Sequence, residues 1–249
     1  MNSIDLYDGI TLHQGDCRDI MRSLPADHFD AVITDPPYGI SFAGEKWDTA
    51  TPHGFQAWAQ SWGEAALRVT KPGGYLLAFS APRTYHRLTS GLEDAGFEIR
   101  DAMAWIRADG KPAGMDLSSA GGSYPPNLLM GEQAMAAAVQ QGAPDHVWPV
   151  FRYQPKAPSR ERPIVGGVQH VTVKPLELMR YLIRLVVRPG SLILEPFAGS
   201  GTTLQAAAME NTRAVGCELD DRYIPLIKAR FAQGIEAPLD LFGLDGDAA

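Results

Sequence analysis

The chain has little cysteine: two in 249 residues, Cys17 and Cys217. They lie far apart and outside any metal-ligand spacing, which argues against zinc and against a disulfide scaffold. They read as reduced thiols in a cytoplasmic protein, and no metal is expected. No apolar run reaches the length of a membrane span, so no membrane association is expected. The stretch Met1 to Asp8 is polar and acidic, unlike a signal peptide. Excess positive charge is also absent. The formal net charge is −7, which taken alone argues mildly against a nucleic-acid partner. There is no internal repeat and no disorder-like composition. A chain of this length builds one large α/β domain, or at most two small ones, around a sizeable core.

Charge is unevenly spread. From Phe151 to Gly190 the basic residues are Arg152, Lys156, Arg160, Arg162, Lys174, Arg180, Arg184 and Arg188, against Glu161 and Glu177; eight minus two gives a local +6. A solvated helix face plus a loop accounts for this as well as a nucleic-acid contact does.

The hydrophobic pattern alternates between strand and helix periods. Ile10 to His13 and Phe29 to Thr34 read as strands around a helix at Cys17 to Leu24. Gly54 to Val69 reads as a helix with Phe55, Trp58, Trp62 and Ala66 on one core-facing stripe. Lys71 to Gly74 reads as a turn into a strand at Tyr75 to Phe79. A helix at Arg83 to Ala95 and a strand at Phe97 to Ile106 follow. This rhythm predicts a parallel sheet. It breaks at Arg107, where a Gly-, Pro- and Ser-rich stretch runs to His146 with one helix at Gly131 to Gln141. Irregular stretches of that length inside a domain are usually functional. Val147 to Tyr153 reads as a strand, and Gln154 to Gly167 as a basic loop. The alternation then resumes: helix Pro175 to Val187, strand Ser191 to Leu194, helix Leu204 to Met209, strand Arg213 to Cys217, helix Asp221 to Gln233.

Two strand ends carry chemistry. Asp35-Pro36-Pro37-Tyr38 follows the Phe29 to Thr34 strand. The prolines fix their own φ and bias the preceding residues towards extended backbone. A rigid corner results, with a carboxylate, a backbone carbonyl and an aromatic ring: a seat for a small planar substrate with a polar edge. The second strand end is Glu195-Pro196-Phe197-Ala198-Gly199-Ser200-Gly201-Thr202-Thr203. Its glycines let backbone approach a ligand, and the helix start suits an anion. About twenty residues on, Glu218 ends the next strand, where nucleoside-binding α/β folds hold ribose hydroxyls. No lysine follows the second glycine, which argues against a nucleotide phosphate loop. No third glycine follows, so S-adenosylmethionine fits better than NAD. Asp16, also at a strand end, is either a partner for an adenine amine or a helix cap.

Asp-Pro-Pro-Tyr at 35–38, Pro-Phe-Ala-Gly-Ser-Gly-Thr-Thr at 196–203 and His170-Val171-Thr172-Val173-Lys174-Pro175 between them together resemble the DNA adenine-N6 and cytosine-N4 amino-methyltransferases. The catalytic motif precedes the cofactor motif, which resembles the β group of that family. Glu195 stands where the family usually has Asp, and Val171 where it usually has Pro.

The resemblance implies a Rossmann-like methyltransferase fold. Its sheet would be seven-stranded, mostly parallel and circularly permuted, in a single domain spanning 1–249. The stretch 107–146 would be a small target-recognition insert between two edge strands forming a hairpin. Asp35, Pro36, Pro37 and Tyr38 would be catalytic. Asp16, Cys17, His170, Thr172, Lys174, Glu195, Phe197, Ala198, Gly199, Ser200, Gly201, Thr202, Thr203, Glu218 and Leu219 would bind S-adenosyl-L-methionine. Lys156, Arg160 and Arg162 would grip double-stranded DNA, whereas Arg180, Arg184 and Arg188 would be structural. The implied reaction is site-specific methylation of adenine N6. The rivals are cytosine-N4, an RNA base, a protein glutamine amide, or a non-catalytic DNA-binding relative. A homodimer and a cognate restriction endonuclease complete the implied partners.

Overall fold

The computed structural model describes residues 2–44, 48, 51–106, 151–232 and 234–235. The chain packs as two compact units, Met1–Arg100 with Ala157–Ala249, and Asp101–Lys156. The whole 107–146 insert falls within the second unit and outside the described residues, as does the helix expected at 131–141.

The large unit holds a six-stranded sheet. Its strands are β1 (Asn2–Tyr7), β2 (Ile10–Gln14), β3 (Phe29–Thr34), β4 (Thr70–Ala78), β9 (Leu192–Glu195) and β10 (Arg213–Glu218), in the order β1-β2-β10-β9-β3-β4. All neighbours are parallel except β1, which runs antiparallel to β2. Strand β9 is buried throughout, and β3 nearly so. Helices cover both faces of such a sheet, and apolar runs without alternation follow. The resemblance implied seven strands; six are hydrogen-bonded into this sheet among the described residues.

Strand β1 corrects the reading of Met1 to Asp8 as merely polar. Ile4 and Leu6 are half-buried, with exposed residues between them, and Asp8-Gly9 makes the hairpin turn with Gly9 at φ 71°. The polar Ser3 and Asp5 on the outer face mask this alternation in the sequence. The expected turn at Lys71 to Gly74 is instead a bulge inside β4: the register jumps from Phe29↔Thr70 to Ala31↔Tyr75.

Helix α1 (Cys17–Ser23) stops at Leu24, before Pro25. Helix α2 (Pro52–Val69) starts with proline at its first turn and with Thr51 accepting from the Gly54 N–H at 3.1 Å. It buries Phe55, Ala59, Trp62 and Ala66 in the core, while Trp58 is half-buried. Helix α3 (Tyr85–Asp94) packs beside it. Gly91 makes that approach close, since a Cβ there would meet the Gln56 carbonyl at 2.5 Å. Helices α4 (Leu176–Val186), α5 (Thr202–Met209) and α6 (Ile224–Ala232) complete the unit. A two-residue hairpin, β7 (Ile164–Val165) with β8 (Val168–Gln169), lies within the expected basic loop and just after it.

The expected strand from Phe97 to Ile106 is shorter. Only β5 (Ala104–Ile106) is a strand. Phe97 and Ile99 pack on the core while Glu98 and Arg100 form an exposed ion pair at 3.0 Å, an alternation without a described ladder partner. In the small unit β5 pairs with β6 (Phe151–Tyr153) in parallel, not as the expected hairpin. The Trp105 indole N–H donates to the Gln154 carbonyl at 2.6 Å and extends this pairing.

Candidate active site

Four adjacent parallel strands, β2, β10, β9 and β3, each lead at the C-terminal edge to a carboxylate: Asp16, Glu218, Glu195 and Asp35. The chain proceeds from β9 to β10 in one direction and from β3 to β4 in the other. The sheet therefore changes winding direction between β9 and β3. In open α/β sheets that crevice is where ligands bind.

The Asp35 turn is held from three directions. The Tyr38 hydroxyl donates to Asp35 Oδ1 at 2.7 Å. The Lys174 ammonium pairs with Asp35 Oδ2, although the two are 139 residues apart in sequence. Lys174 is only 8% exposed, with Nζ 5.0 Å from the Phe79 ring centre and 5.4 Å from that of Tyr38. Sequence reasoning put Lys174 with the cofactor; the fold seats it on Asp35. Each Asp35 oxygen takes one of these donors, and a carboxylate oxygen has the capacity for a second.

The third hold was missed. Gly39 and Ser41 have φ of 67° and 56°, so successive N–H groups converge. The buried Asp48 carboxylate accepts from Tyr38, Gly39, Ile40 and Phe42 N–H at 2.5, 2.7, 3.2 and 2.8 Å. The run of turn residues after Tyr38 signals a need for an acceptor, but nothing local says which residue supplies it.

Glu195 is not a crevice-facing ligand residue. It is 1% exposed, and its two oxygens accept from Thr34 and Thr203 hydroxyls, both at 2.5 Å, and from the Phe197 N–H at 3.0 Å. It ties β3, β9 and the start of α5 together. Burial pushes its carboxyl up to about 8, against the pull of Thr203, Thr34 and Phe197.

The glycine-rich loop is likewise fixed from behind. Gly199 (φ 53°) and Gly201 (φ 81°) take left-handed backbone. Ala198 N–H donates to the Cys217 carbonyl at 2.8 Å, and Phe197 packs 5.5 Å from both Trp58 and Trp62. Thr202, Thr203 and Ser200 are buried, with Ser200 and Thr202 hydroxyls 3.3 Å apart, so these side chains serve the loop's shape. A second missed residue is Arg230, on α6 and 6% exposed. Its guanidinium donates to the Ser200 carbonyl at 2.5 Å, the Ser200 hydroxyl at 3.2 Å, the Gln205 amide oxygen at 2.8 Å and the Glu161 carbonyl at 2.7 Å. Desolvation lowers its pKa to about 10 without discharging it at neutral pH. The Glu161 carboxylate accepts from the Leu176 N–H at 2.9 Å, capping α4.

Glu218 stands where the sequence placed it. Its Oε2 accepts from Gly199 N–H at 2.7 Å and its Oε1 from Asp220 N–H at 2.8 Å. Burial pushes its carboxyl up to about 7, opposed by those two N–H groups. Leu219 beside it is 66% exposed. The His170 ring lies edge-on to Tyr223 at 4.5 Å, and its Nδ1 accepts from the half-buried Thr172 N–H at 3.2 Å. A Cβ on Gly199 would lie 3.0 Å from His170 Nε2, so the histidine covers the loop.

Asp16 is the cap that was one of its two readings. It accepts from Arg18 N–H at 2.9 Å and pairs with the Arg18 side chain, which holds its carboxyl below the usual range. The Cys17 side chain belongs to the core, and burial pushes its thiol up to about 12, so it stays protonated. Lys156 and Arg160 are exposed; Arg162 is half-buried and donates to the Ala157 carbonyl at 3.0 Å. Arg180 and Arg184 both bind Glu210, at 2.6 and 2.7 Å, as expected of structural residues.

A doubly wound sheet with a carboxylate turn and a glycine-rich loop across its switch point is the architecture of the Rossmann-like, S-adenosylmethionine-dependent methyltransferases. The sequence profile of the N6/N4 methyltransferases, described as DNA methylase, matches residues 29–121 and 128–229, and the chain belongs to that family. It is 26% identical to the type II methyltransferase M.HindIII of Haemophilus influenzae, over 80% of this chain and 87% of that protein. Among solved structures, the PvuII DNA methyltransferase, cytosine-N4-specific, superimposes with a TM-score of 0.66 at 16% identity, covering 92% of this chain and 88% of that one. The M1.HpyAVI complex with S-adenosylmethionine superimposes with a TM-score of 0.56 at 20% identity, covering 89% and 98%. These likenesses establish a Rossmann-like methyltransferase fold. Among the described residues no helix is long and apolar enough to cross a membrane, and no three His, Cys, Asp or Glu side chains converge to hold a metal.

Proposed function

We propose that this chain transfers a methyl group from S-adenosylmethionine to the N6 amine of an adenine turned out of double-stranded DNA. The observation that carries it is the half-buried Asp35 carboxylate, fixed by Tyr38 and Lys174 across the switch point from the glycine-rich loop. Membership of the DNA methylase family supports the reaction class.

The residues around that loop fit the cofactor. Glu218 supplies a strand-end acid for ribose hydroxyls, exposed Leu219 an apolar cover, and the backbone at Ala198 to Gly201 a close approach. His170 and Thr172 border the same loop, and Asp16 and Cys17 contribute from the end of β2. When bound, the cofactor supplies an electrophilic methyl group on a sulfonium.

An exocyclic amine conjugated to its ring is a weak nucleophile. The free acceptor sites of Asp35 and the Pro36 carbonyl take its two N–H groups, which aims the nitrogen lone pair and stabilises the positive charge that develops there. Tyr38 stacks on the base and offsets part of the cost of extrusion. Pro37 keeps the corner rigid. As the carbon–nitrogen bond forms the carbon–sulfur bond breaks, and the extra amine proton leaves towards Asp35 and water. Lys156, Arg160 and Arg162 take backbone phosphates in this scheme. The 107–146 insert reads the sequence.

The test is transfer of labelled methyl to DNA followed by digestion to nucleosides. N6-methyladenine is the expected product. N4-methylcytosine alone would reassign the base, and label on RNA or protein alone would reassign the substrate. Glu218→Ala should weaken cofactor affinity; unchanged affinity would move the ribose elsewhere. Sedimentation at working concentration checks the expected homodimer.

A further inference from the structure

We propose that a basic cavity beside the Asp35 turn seats a DNA backbone phosphate next to the extruded nucleotide. This rests on the DNA methyltransfer reading and adds a site outside the basic loop that sequence reasoning assigned to DNA.

The cavity measures about 250 Å³ and is bordered by Gly39, Phe55, Arg83, Thr84, His86 and Arg87 among others. Gly39 directly follows Tyr38, so the cavity adjoins the stacking residue. None of its lining residues is acidic, in a chain of net charge −7. Two of them are arginines. Arg83 is exposed, and one Nη donates to the Ile40 carbonyl at 3.2 Å, which leaves its other N–H groups for a ligand. The Arg87 Nη1 donates to the Gln56 amide oxygen at 3.1 Å. Its Nε is buried and has no hydrogen-bond partner among the described residues. That N–H is itself closed off, so Arg87 brings the cavity its guanidinium charge rather than this donor.

Helix α3 begins at the same place; its Thr84 and Tyr85 N–H groups are taken by the Ala81 carbonyl, so it offers its dipole rather than free donors. The positive end of a ten-residue helix thus adds to the two arginines. A phosphodiester matches this set, because its two free oxygens meet planar guanidinium forks. Its use follows from base extrusion. A nucleotide rotates out of the stack about its backbone, so the adjacent phosphates must be held for the base to stay on Tyr38. Asp48 fixes the Tyr38 to Phe42 backbone, which includes the cavity residue Gly39, so the seat is built on a held turn.

The experiment uses the full chain and a fluorescein-labelled duplex taken from DNA that the wild type methylates. Arg83→Gln, Arg87→Gln and the double variant are compared for duplex affinity across a salt series, cofactor affinity and melting temperature. The double variant should bind the duplex about tenfold more weakly, with the log–log salt slope reduced by about 0.9 for one lost phosphate. Cofactor affinity should not change. Arg83→Gln removes an exposed side chain and should show part of the effect without loss of fold. Unchanged affinity and slope in all three variants, with the wild type active, would overturn the seat alone. A wild type that methylates no duplex would overturn the methyltransfer reading and the seat with it.

Discussion

The Lys174 ammonium lies on the Asp35 carboxylate, joining the segment before α4 to the exit of β3 across 139 residues. Both groups are largely withdrawn from water, so each is the other's main compensation. Asp35→Asn should reduce methyl transfer roughly 100- to 1,000-fold, the usual loss when one transition-state partner is removed. Lys174→Met should lower the single-turnover rate and also the stability, because it leaves a carboxylate uncompensated. The double variant should recover stability relative to Lys174→Met alone. A urea-denaturation cycle checks this, and additivity of the two single effects would dissolve the coupling.

Arg230 joins the glycine-rich loop, α5 and the basic loop through one guanidinium. Arg230→Met removes four hydrogen bonds and should cost about 2–4 kcal/mol of stability, since bonds to charged groups are worth roughly 1.5–3 kcal/mol each and do not add fully. Arg230→Lys should not restore it, because an ammonium lacks the planar fork. Cofactor affinity should weaken in both variants, by calorimetry, as the loop loses its backing.

Asp48 orders the turn that follows Tyr38. Asp48→Ala strips four backbone N–H groups of their acceptor and should destabilise the protein by about 1–3 kcal/mol. The functional signature is a split: the methyl-transfer rate at saturating DNA falls while cofactor affinity stays at the wild-type value. A variant with full rate would show that the turn keeps its shape unaided.

Glu195 makes stability fall with rising pH. Its folded carboxyl titrates at about 8, above its ordinary 4.5, so the folded protein holds a proton the unfolded chain has lost. The favourable contribution is complete below about 4.5 and is lost as pH rises to about 8, at up to roughly 1.4 kcal/mol per pH unit. Glu195→Gln removes this titration. The stability of the wild type relative to Glu195→Gln should therefore decline through that window in denaturant titrations, and a pH-independent difference would refute the assignment.

The sequence by itself determined the strand-helix alternation, the two strand-end motifs and the placing of Glu218. These are local properties: β-strands and helices impose their own periods, and a strand-end acid followed by glycines or prolines is visible within ten residues. It misplaced what depends on partners. The Phe97 to Met103 alternation looked like a strand, but a strand needs a ladder. The Val147 to Tyr153 and Phe97 to Ile106 runs were expected as a hairpin, but their described strands, Phe151–Tyr153 and Ala104–Ile106, pair in parallel. Glu195 looked like a ligand residue, but it is buried and bonded to Thr34, Thr203 and the Phe197 N–H. Only the tertiary structure decided that Lys174 meets Asp35, that Asp48 fills the turn after Tyr38, and that Arg230 backs the glycine-rich loop. Sheet order brings these groups together from distant segments, and hydrogen-bond geometry, not sequence spacing, then fixes which polar atom faces which.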